Sequence, residues 1–443
     1  MSSPATVQQI SSPATVPRPR RGILPAALPL TRDRLVRHRF YLAWSLLFFD
    51  VLTYYPGYSF VHIPSTIGKV LAESALPFAL LCALCLNRRV ILRPNVFLCL
   101  VTLIVLGSIM PALQPQHVGT IFRTLRFAGF VVTLWLLTPW WGRRDLLIVR
   151  CQLAVLGALI GSVVLGLLIS PHTALYGGGT GRLGGALWPM PPTQVAHYAA
   201  ELTGLVVVLW FGGKLRGRTT VLISAVALAI LVLTHTRTAL VALITGLLVA
   251  GMSLIVAKAR VRKLFAVGGA TATVAVLTLS AFIVHWLERG QTSQGLTNLT
   301  GRTEVWGPLL AAPRDKFQEL FGFGLSNSSF NGLPIDSNWL DSYQALGLFG
   351  VVLCAMILVF LLVNAYFRPR GVQRALALFL ITYCLVASFT EVGFTDASPY
   401  LIDLTVAASL LVPSWGIAPR GDDRAVPEPA VTMRALDDGY SAI

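Results

Sequence analysis

Charge is what this sequence is short of. Asp, Glu, Lys and Arg together supply 12% of 443 residues, while apolar residues supply 55%. A water-soluble domain carries about 25% charged residues, so the soluble globular class is excluded. Cysteine is scarce as well. The six (Cys82, Cys85, Cys99, Cys151, Cys354 and Cys384) all fall inside apolar runs, which gives no disulfide framework. Cys82 and Cys85 have CxxC spacing, but without a second pair or a polar setting they read as lipid- or core-facing thiols. The GxGxxG, GKS/T, HExxH and GxSxG motifs are missing from any usable context. Nucleotide hydrolysis, zinc proteolysis and serine hydrolysis therefore have no signature. Residues 1–39 are rich in Ser, Pro and Arg and lack a short apolar core with a cleavage site, so no cleavable signal is expected there. No internal repeat is evident, which disfavours the inverted-repeat architecture of many transporters and flippases.

What is abundant is apolar sequence in runs long enough to cross ~30 Å of hydrocarbon. Spans are expected near 40–56, 67–86, 95–113, 124–141, 151–169, 191–211, 219–235, 238–257, 264–286, 339–366, 375–390 and 397–413. The fold expected is an all-α polytopic membrane helical bundle of about twelve transmembrane helices, with a large outer loop containing amphipathic helices. The membrane domain covers 40–413, and the tails 1–39 and 414–443 are expected to be cytoplasmic and disordered. The net charge of +16 could suggest nucleic acid, but its distribution says otherwise. With both termini inside, most of the 35 Lys and Arg fall in inside segments: 1–39, 87–94, 142–150, 212–218, 258–263, 367–374 and 414–443. That is the positive-inside pattern, with attraction to anionic lipid secondary. No nucleic-acid partner is implied.

Two outer loops remain, 170–190 and 287–338. In the second, Val305, Trp306, Leu309 and Leu310 form one apolar stripe and Phe317, Leu320 and Phe321 another. The spacing predicts a pair of amphipathic helices broken at Pro313. Orientation does not account for the outer arginines. Arg182 lies in GGGTGRLGG, Arg237 in THTRTAL, Arg302 in TGRTEVW, and Arg123 and Arg126 lie on one helical face. An arginine beside apolar surface is costly unless paired or bound to an anion, and guanidinium suits phosphate oxygens. Each could instead snorkel or form a structural ion pair. The acids Asp50, Glu73, Glu201 and Asp403 lie in or near spans, as do His197 and His235. Such groups are functional candidates or partners for the arginines.

Between the large loop and the next span stands GLPIDSNWLDSYQALGLFG, residues 332–350. Together with Gly181-Arg182 before Pro191 and Pro192, Thr236-Arg237-Thr238-Ala239, Gly301-Arg302 with Trp306, and Gly322 and Gly324, its Gly347-x-x-Gly350 resembles the O-antigen ligase and O-antigen polymerase superfamily of polytopic glycosyltransferases. The likeness covers about residues 170–365. Ligases of the family carry histidine and asparagine eleven and ten residues before the first glycine. Here Asp336 and Ser337 occupy those positions, with Asn338 shifted by one, a departure that favours a polymerase-like variant.

The resemblance implies inverting transfer of a saccharide at the outer face of the cytoplasmic membrane. The donor would be a polyprenyl-pyrophosphate-linked oligosaccharide and the acceptor a glycan or a lipid, with no cofactor and no obligatory metal. Arg302, Asp336 and Glu304 are the expected catalytic group. Arg182, Arg237, Arg123, Arg126, Asn338 and Trp339 are expected to bind substrate. Arginines suit the charge developing on a leaving pyrophosphate, and a carboxylate suits the acceptor hydroxyl as base. Asp336 could instead cap the helix beginning near Trp339, and ligation onto a lipid or protein is the alternative to polymerisation.

Overall fold

The computed structural model describes residues 28–60, 64–113, 118–143, 145–177, 179, 181–255, 261–263, 302–326 and 328–413. The expected tails, the ninth span and the first part of the long loop lie wholly or largely outside them.

Nearly every described apolar run is helical. In chain order the helices are α1 (Leu28–Asp50), α2 (Ser65–Glu73), α3 (Ala75–Leu86), α4 (Val96–Ala112), α5 (Val118–Leu137), α6 (Leu147–Ile169), α7 (Pro171–Tyr176), α8 (Pro192–Phe211), α9 (Gly217–Leu233) and α10 (Arg237–Ile255). Within the 287–338 loop lie α11 (Arg302–Ala311) and α12 (Lys316–Phe321), and after it come α13 (Asn338–Phe367), α14 (Val372–Ala387) and α15 (Pro399–Leu411). Among the described residues the strand content is one antiparallel two-residue pair, β1 (Ser329–Phe330) with β2 (Leu333–Pro334). Helix is the dictated choice, because hydrocarbon offers no partner for a free backbone N–H or C=O. The chain is an all-α membrane protein. Among the described residues, six helical stretches are long and apolar enough to cross a bilayer: Ser65–Leu86, Gly119–Trp140, Leu147–Ile169, Pro192–Phe211, Arg237–Ile255 and Asn338–Phe367. Four shorter apolar helices, α4, α9, α14 and α15, stand beside them.

Side-chain placement separates lipid from core. Phe78 on α3, Val221 and Leu222 on α9 and Val359 on α13 are exposed apolar groups, and rows of this kind match a hydrocarbon surround rather than water. At the centre runs α8, buried at every residue from Gln194 to Val206. Small residues let its neighbours approach: a Cβ on Gly204 or on Gly246 of α10 would collide with the Phe379 ring of α14. Bundles in lipid pack through small residues in this way, since there is no hydrophobic drive between their helices.

Contacts among the loops sort the bundle into two ends. At one end Arg93 N donates to Thr138, Gly142 N to Ser409, Arg37 pairs with Asp145, and Arg368 donates to Leu411 and Val412 carbonyls. At the other, Tyr55 N and Phe60 N donate to Pro189 and Ala186, and Leu183 N to Leu233. The two arginine-bearing loops and the 51–60 segment therefore meet at the second end.

The amphipathic pair takes the expected form in part. Helix α11 ends before Pro313, and α12 restarts from an Asp315 capping box with Gln318. Val305 and Leu309 pack with Ile335, Trp306 and Tyr343. Leu310 and Leu320, members of the expected apolar stripes, are exposed. Arg314 locks the break: its guanidinium lies 4.3 Å from the Tyr343 ring centroid and 5.2 Å from that of Phe323, and it donates to Gln344 Oε1 at 2.8 Å. Helix α1 begins at Leu28, earlier than the expected end of the tail.

The glycine motifs meet face to face. Gly347 breaks α13 with φ 62 and ψ −156, a conformation that favours glycine. A Cβ there would strike the backbone of Glu319 and Leu320, and one on Gly322 would strike Ala345. Phe323 N and Gly324 N then donate to Gln344 and Ala345 carbonyls at 2.9 and 2.8 Å. Gly347→Ala is expected to lower the thermal midpoint of the detergent-solubilised protein, by the equivalent of about 1–3 kcal/mol of strain or more. Gly161→Ala, whose added methyl meets open space, should leave it unchanged, and equal midpoints for the two would remove the close-crossing account.

Candidate functional site

Three segments distant in sequence converge at the loop end around arginine. Arg182 follows the glycine-rich turn and donates from Nε to the Thr234 carbonyl and from Nη2 to Thr236 Oγ1, both at 2.9 Å. Thr234 follows the last turn of α9, where a cation is favoured by the exposed carbonyls. Thr236 precedes Arg237, the first residue of α10. Arg302 opens α11, donates from Nη2 to the Thr390 carbonyl at 3.2 Å and sets Nε 3.6 Å from Asp336 Oδ2. Thr390 Oγ1 in turn donates to Thr238 Oγ1 at 2.7 Å. The 388–398 segment between α14 and α15 thus ties the Arg302 side to the Thr236–Thr238 side.

Asp336 does not cap α13. The cap position belongs to Ser337, and no side-chain cap bond is made. Asp336 instead sits at φ 44, in the left-handed region that Asp tolerates better than most residues. Its backbone is held from below: Ile335 N donates to Ser328, Ile335 O accepts Trp306 Nε1 at 2.8 Å, and Ile335 is buried against Val305 and Leu309. Its side chain is 43% exposed beside Arg302. Glu304 is exposed on α11 and makes no hydrogen bond or ion pair to a described residue.

Glu391, which sequence reasoning missed, joins the group. It is half-buried, and its carboxyl is pushed up to about 7 by burial first and by Asp336 second, against the opposite pull of Arg302 and Arg182. The Arg182 guanidinium is drawn below its ordinary pKa by burial, opposed by Tyr58 and Glu391. Two carboxyl groups and two arginines therefore sense one another. The available signal was position: Glu391 is the first residue of the polar break EVGFTD between the last two expected spans, on the side of the outer arginines.

Arg237 stands apart electrostatically. Its Nε and Nη2 are shut off from solvent and have no hydrogen-bond partner among the described residues; Arg302 Nε likewise makes no hydrogen bond. A guanidinium in that state is costly and suited to an incoming anion.

The remaining candidates have partners within the protein. Arg126 donates to both Asp50 carboxylate oxygens, at 3.1 and 3.3 Å, and to the Asp50 carbonyl at 2.8 Å. Arg123 lies 3.9 Å from Asp396, whose carboxyl is raised by burial against the pull of Arg126, the Ala397 N–H and Arg123. These two arginines form a second group with acids of their own. Asn338 is fully buried and accepts from Gly393 N and Phe394 N at 3.3 and 2.8 Å, while its own N donates to Ser388. It therefore braces the segment that carries Glu391. Trp339 is half-buried, its ring 6.4 Å from that of Phe389.

No protein-family model matches the chain, and no curated protein does either. A functional reading thus rests on the chemistry of these residues.

Replacing each arginine by methionine should expose the contrast between the groups. Arg126→Met leaves buried Asp50 unpaired and should cost about 3–5 kcal/mol, read as a large fall in thermal midpoint. Arg237→Met removes a guanidinium without a described partner and should keep stability within about 0.5 kcal/mol or raise it. Comparable losses would show that Arg237 is structural.

Proposed function

We propose that this chain is a metal-independent inverting glycosyltransferase that joins polyprenyl-pyrophosphate-linked repeat units into a cell-surface polysaccharide. The observation that carries the reading is Arg237, with solvent-excluded nitrogens lacking a described partner, in the same loop cluster as Arg182 and Arg302. A pyrophosphate has enough oxygens to serve all three. As the C1–oxygen bond to the pyrophosphate breaks, negative charge grows on the leaving group, and fixed guanidiniums stabilise it at little reorganisation cost. The acceptor oxygen forms its bond to C1 from the opposite face, and its proton passes to a carboxylate.

Glu391 suits that base role best. A carboxyl near pKa 7 is ionised often enough at neutral pH and basic enough to take a hydroxyl proton. Asp336, placed beside Arg302, then serves to hold that guanidinium on the donor. Carboxyl groups with different neighbours can divide such labour. The occurrence of Asp336 where the family's ligases carry histidine favours polymerisation over ligation.

The sign of the pH dependence follows. Protonated Glu391 cannot accept a proton, so turnover should fall as pH drops below about 7 and level off above it. In a purified system with a lipid-linked oligosaccharide donor, Glu391→Gln should lower turnover by about 10²–10⁴-fold and lose that acid limb. Asp336→Asn should act mainly on KM for the donor, and Arg302→Lys should impair activity because ammonium lacks the bidentate fork. Near-normal turnover in Glu391→Gln returns the base role to Asp336. Transfer to a lipid or protein without elongation would replace polymerase by ligase.

The reading requires the arginine cluster to face outward, with twelve spans and both termini cytoplasmic in the cytoplasmic membrane. Its support is the gathering of Arg93, Arg143 and Arg368 at the opposite end of the bundle. Single cysteines at exposed Ser326 and Arg370 should label oppositely in intact cells with a membrane-impermeant reagent, Ser326 reacting and Arg370 not. The reverse pattern would overturn the donor-side assignment.

A further inference from the structure

Deep in the bundle, away from the arginine cluster, α6, α8 and α15 enclose a polar group with no lysine or arginine hydrogen-bonded to it or paired with it among the described residues. Its members are His197 and Glu201 on α8, Asp403 on α15 and Gln152 on α6, and none is more than 1% exposed. The amide of Gln152 has a fixed sense. Trp44 Nε1 donates to its Oε1 at 2.9 Å, so its Nε2 is left to donate to Glu201 Oε1 at 2.6 Å and Asp403 Oδ1 at 3.2 Å.

One oxygen of each carboxylate is thereby used and the other is not. Glu201 Oε2, Asp403 Oδ2 and both nitrogens of His197 are buried without a hydrogen-bond partner among the described residues. His197 Nε2 does lie 3.0 Å from Asp403 Oδ2, but without the alignment of a hydrogen bond. Two ligands that each stand ~2.0–2.2 Å from one ion, at an angle of about 90°, come to about this separation. One ligand atom from each of His197, Glu201 and Asp403 lies within 4.8 Å of the other two.

We infer that His197, Glu201 and Asp403 form a binding site for a divalent transition-metal cation. The charge arithmetic supports it, because two carboxylates with no cationic side chain bonded to them are neutralised by one divalent ion, and uncompensated charge is expensive at that depth. The imidazole selects the class: Mg²⁺ and Ca²⁺ prefer oxygen-only sets, whereas nitrogen suits zinc and its neighbours. Trp44 and Gln152 act one step out, turning the carboxylates toward the ion. The ion would clamp α15 to α8, and it takes no part in the transfer reaction proposed above. The rival occupant is a proton shared between the two carboxyl groups.

Full-length protein purified in detergent and stripped with EDTA provides the test, with ZnCl₂ and MnCl₂ as probes. Elemental analysis after desalting should find stoichiometric metal for at least one of them, and that metal should raise the thermal midpoint. Glu201→Gln, which keeps shape and removes charge, should abolish both effects, and Trp44→Phe should weaken affinity by about 10–100-fold. Failure of both metals to be retained or to shift the midpoint overturns the inference in favour of the shared proton. So does an unchanged metal response in Glu201→Gln.

Discussion

A charged group in hydrocarbon must find a partner, and this constraint organises the charged interior of the protein. Asp50 is buried and takes three hydrogen bonds from Arg126 through its carboxylate and carbonyl. Arg143 pairs with Asp145 at 3.1 Å, and Arg314 rests between the Tyr343 and Phe323 rings. In each case the charge is satisfied by the protein itself, and the residue holds helices or loops in register. Arg237 departs from that pattern. The departure is informative because these other charged groups comply.

The arginine cluster depends on a scaffold that is mostly backbone. Gly322 and Gly347 let the loop chain cross α13 at a distance no side chain would permit. That crossing fixes where α11 and α12 lie, and α11 begins with Arg302. Asn338, buried under the 388–398 segment, hydrogen-bonds the backbone of Gly393 and Phe394. The charged groups of the site therefore stand on loops, but the loops are tied down by hydrogen bonds to helix ends. A preorganised set of donors of this kind is what stabilisation of developing charge requires.

The two polar centres divide along chemical lines. The loop-end group brings Arg182, Arg237 and Arg302 together with Asp336 and Glu391 and is partly open. The interior group is anionic and sealed, and its histidine and carboxylates suit a cation. Tyr400 packs edge-on to His197, ring centroids 4.3 Å apart, and lies on the same element, α15, as Asp403. Interior and loop end thus share α15 and the segment before it.

The sequence by itself determined the medium and, through it, the helices. Long apolar runs with scarce charge allow little else in a bilayer, and the break at Pro313 could be read directly. Tertiary structure decided which polar groups became partners. Arg123 and Arg126 carried the same local signal as Arg182, yet Asp50, more than seventy residues away, claimed Arg126. Glu391 carried only a positional signal, as the first residue of a polar break; its neighbours are Asp336, Arg302 and Arg182, all from other segments. Gln152 was overlooked for the same reason, since an uncharged amide in a span gains meaning only when Glu201 and Asp403 are brought to it. Local sequence fixes what a segment can be in lipid, whereas pairing is a long-range property set by which helices pack together.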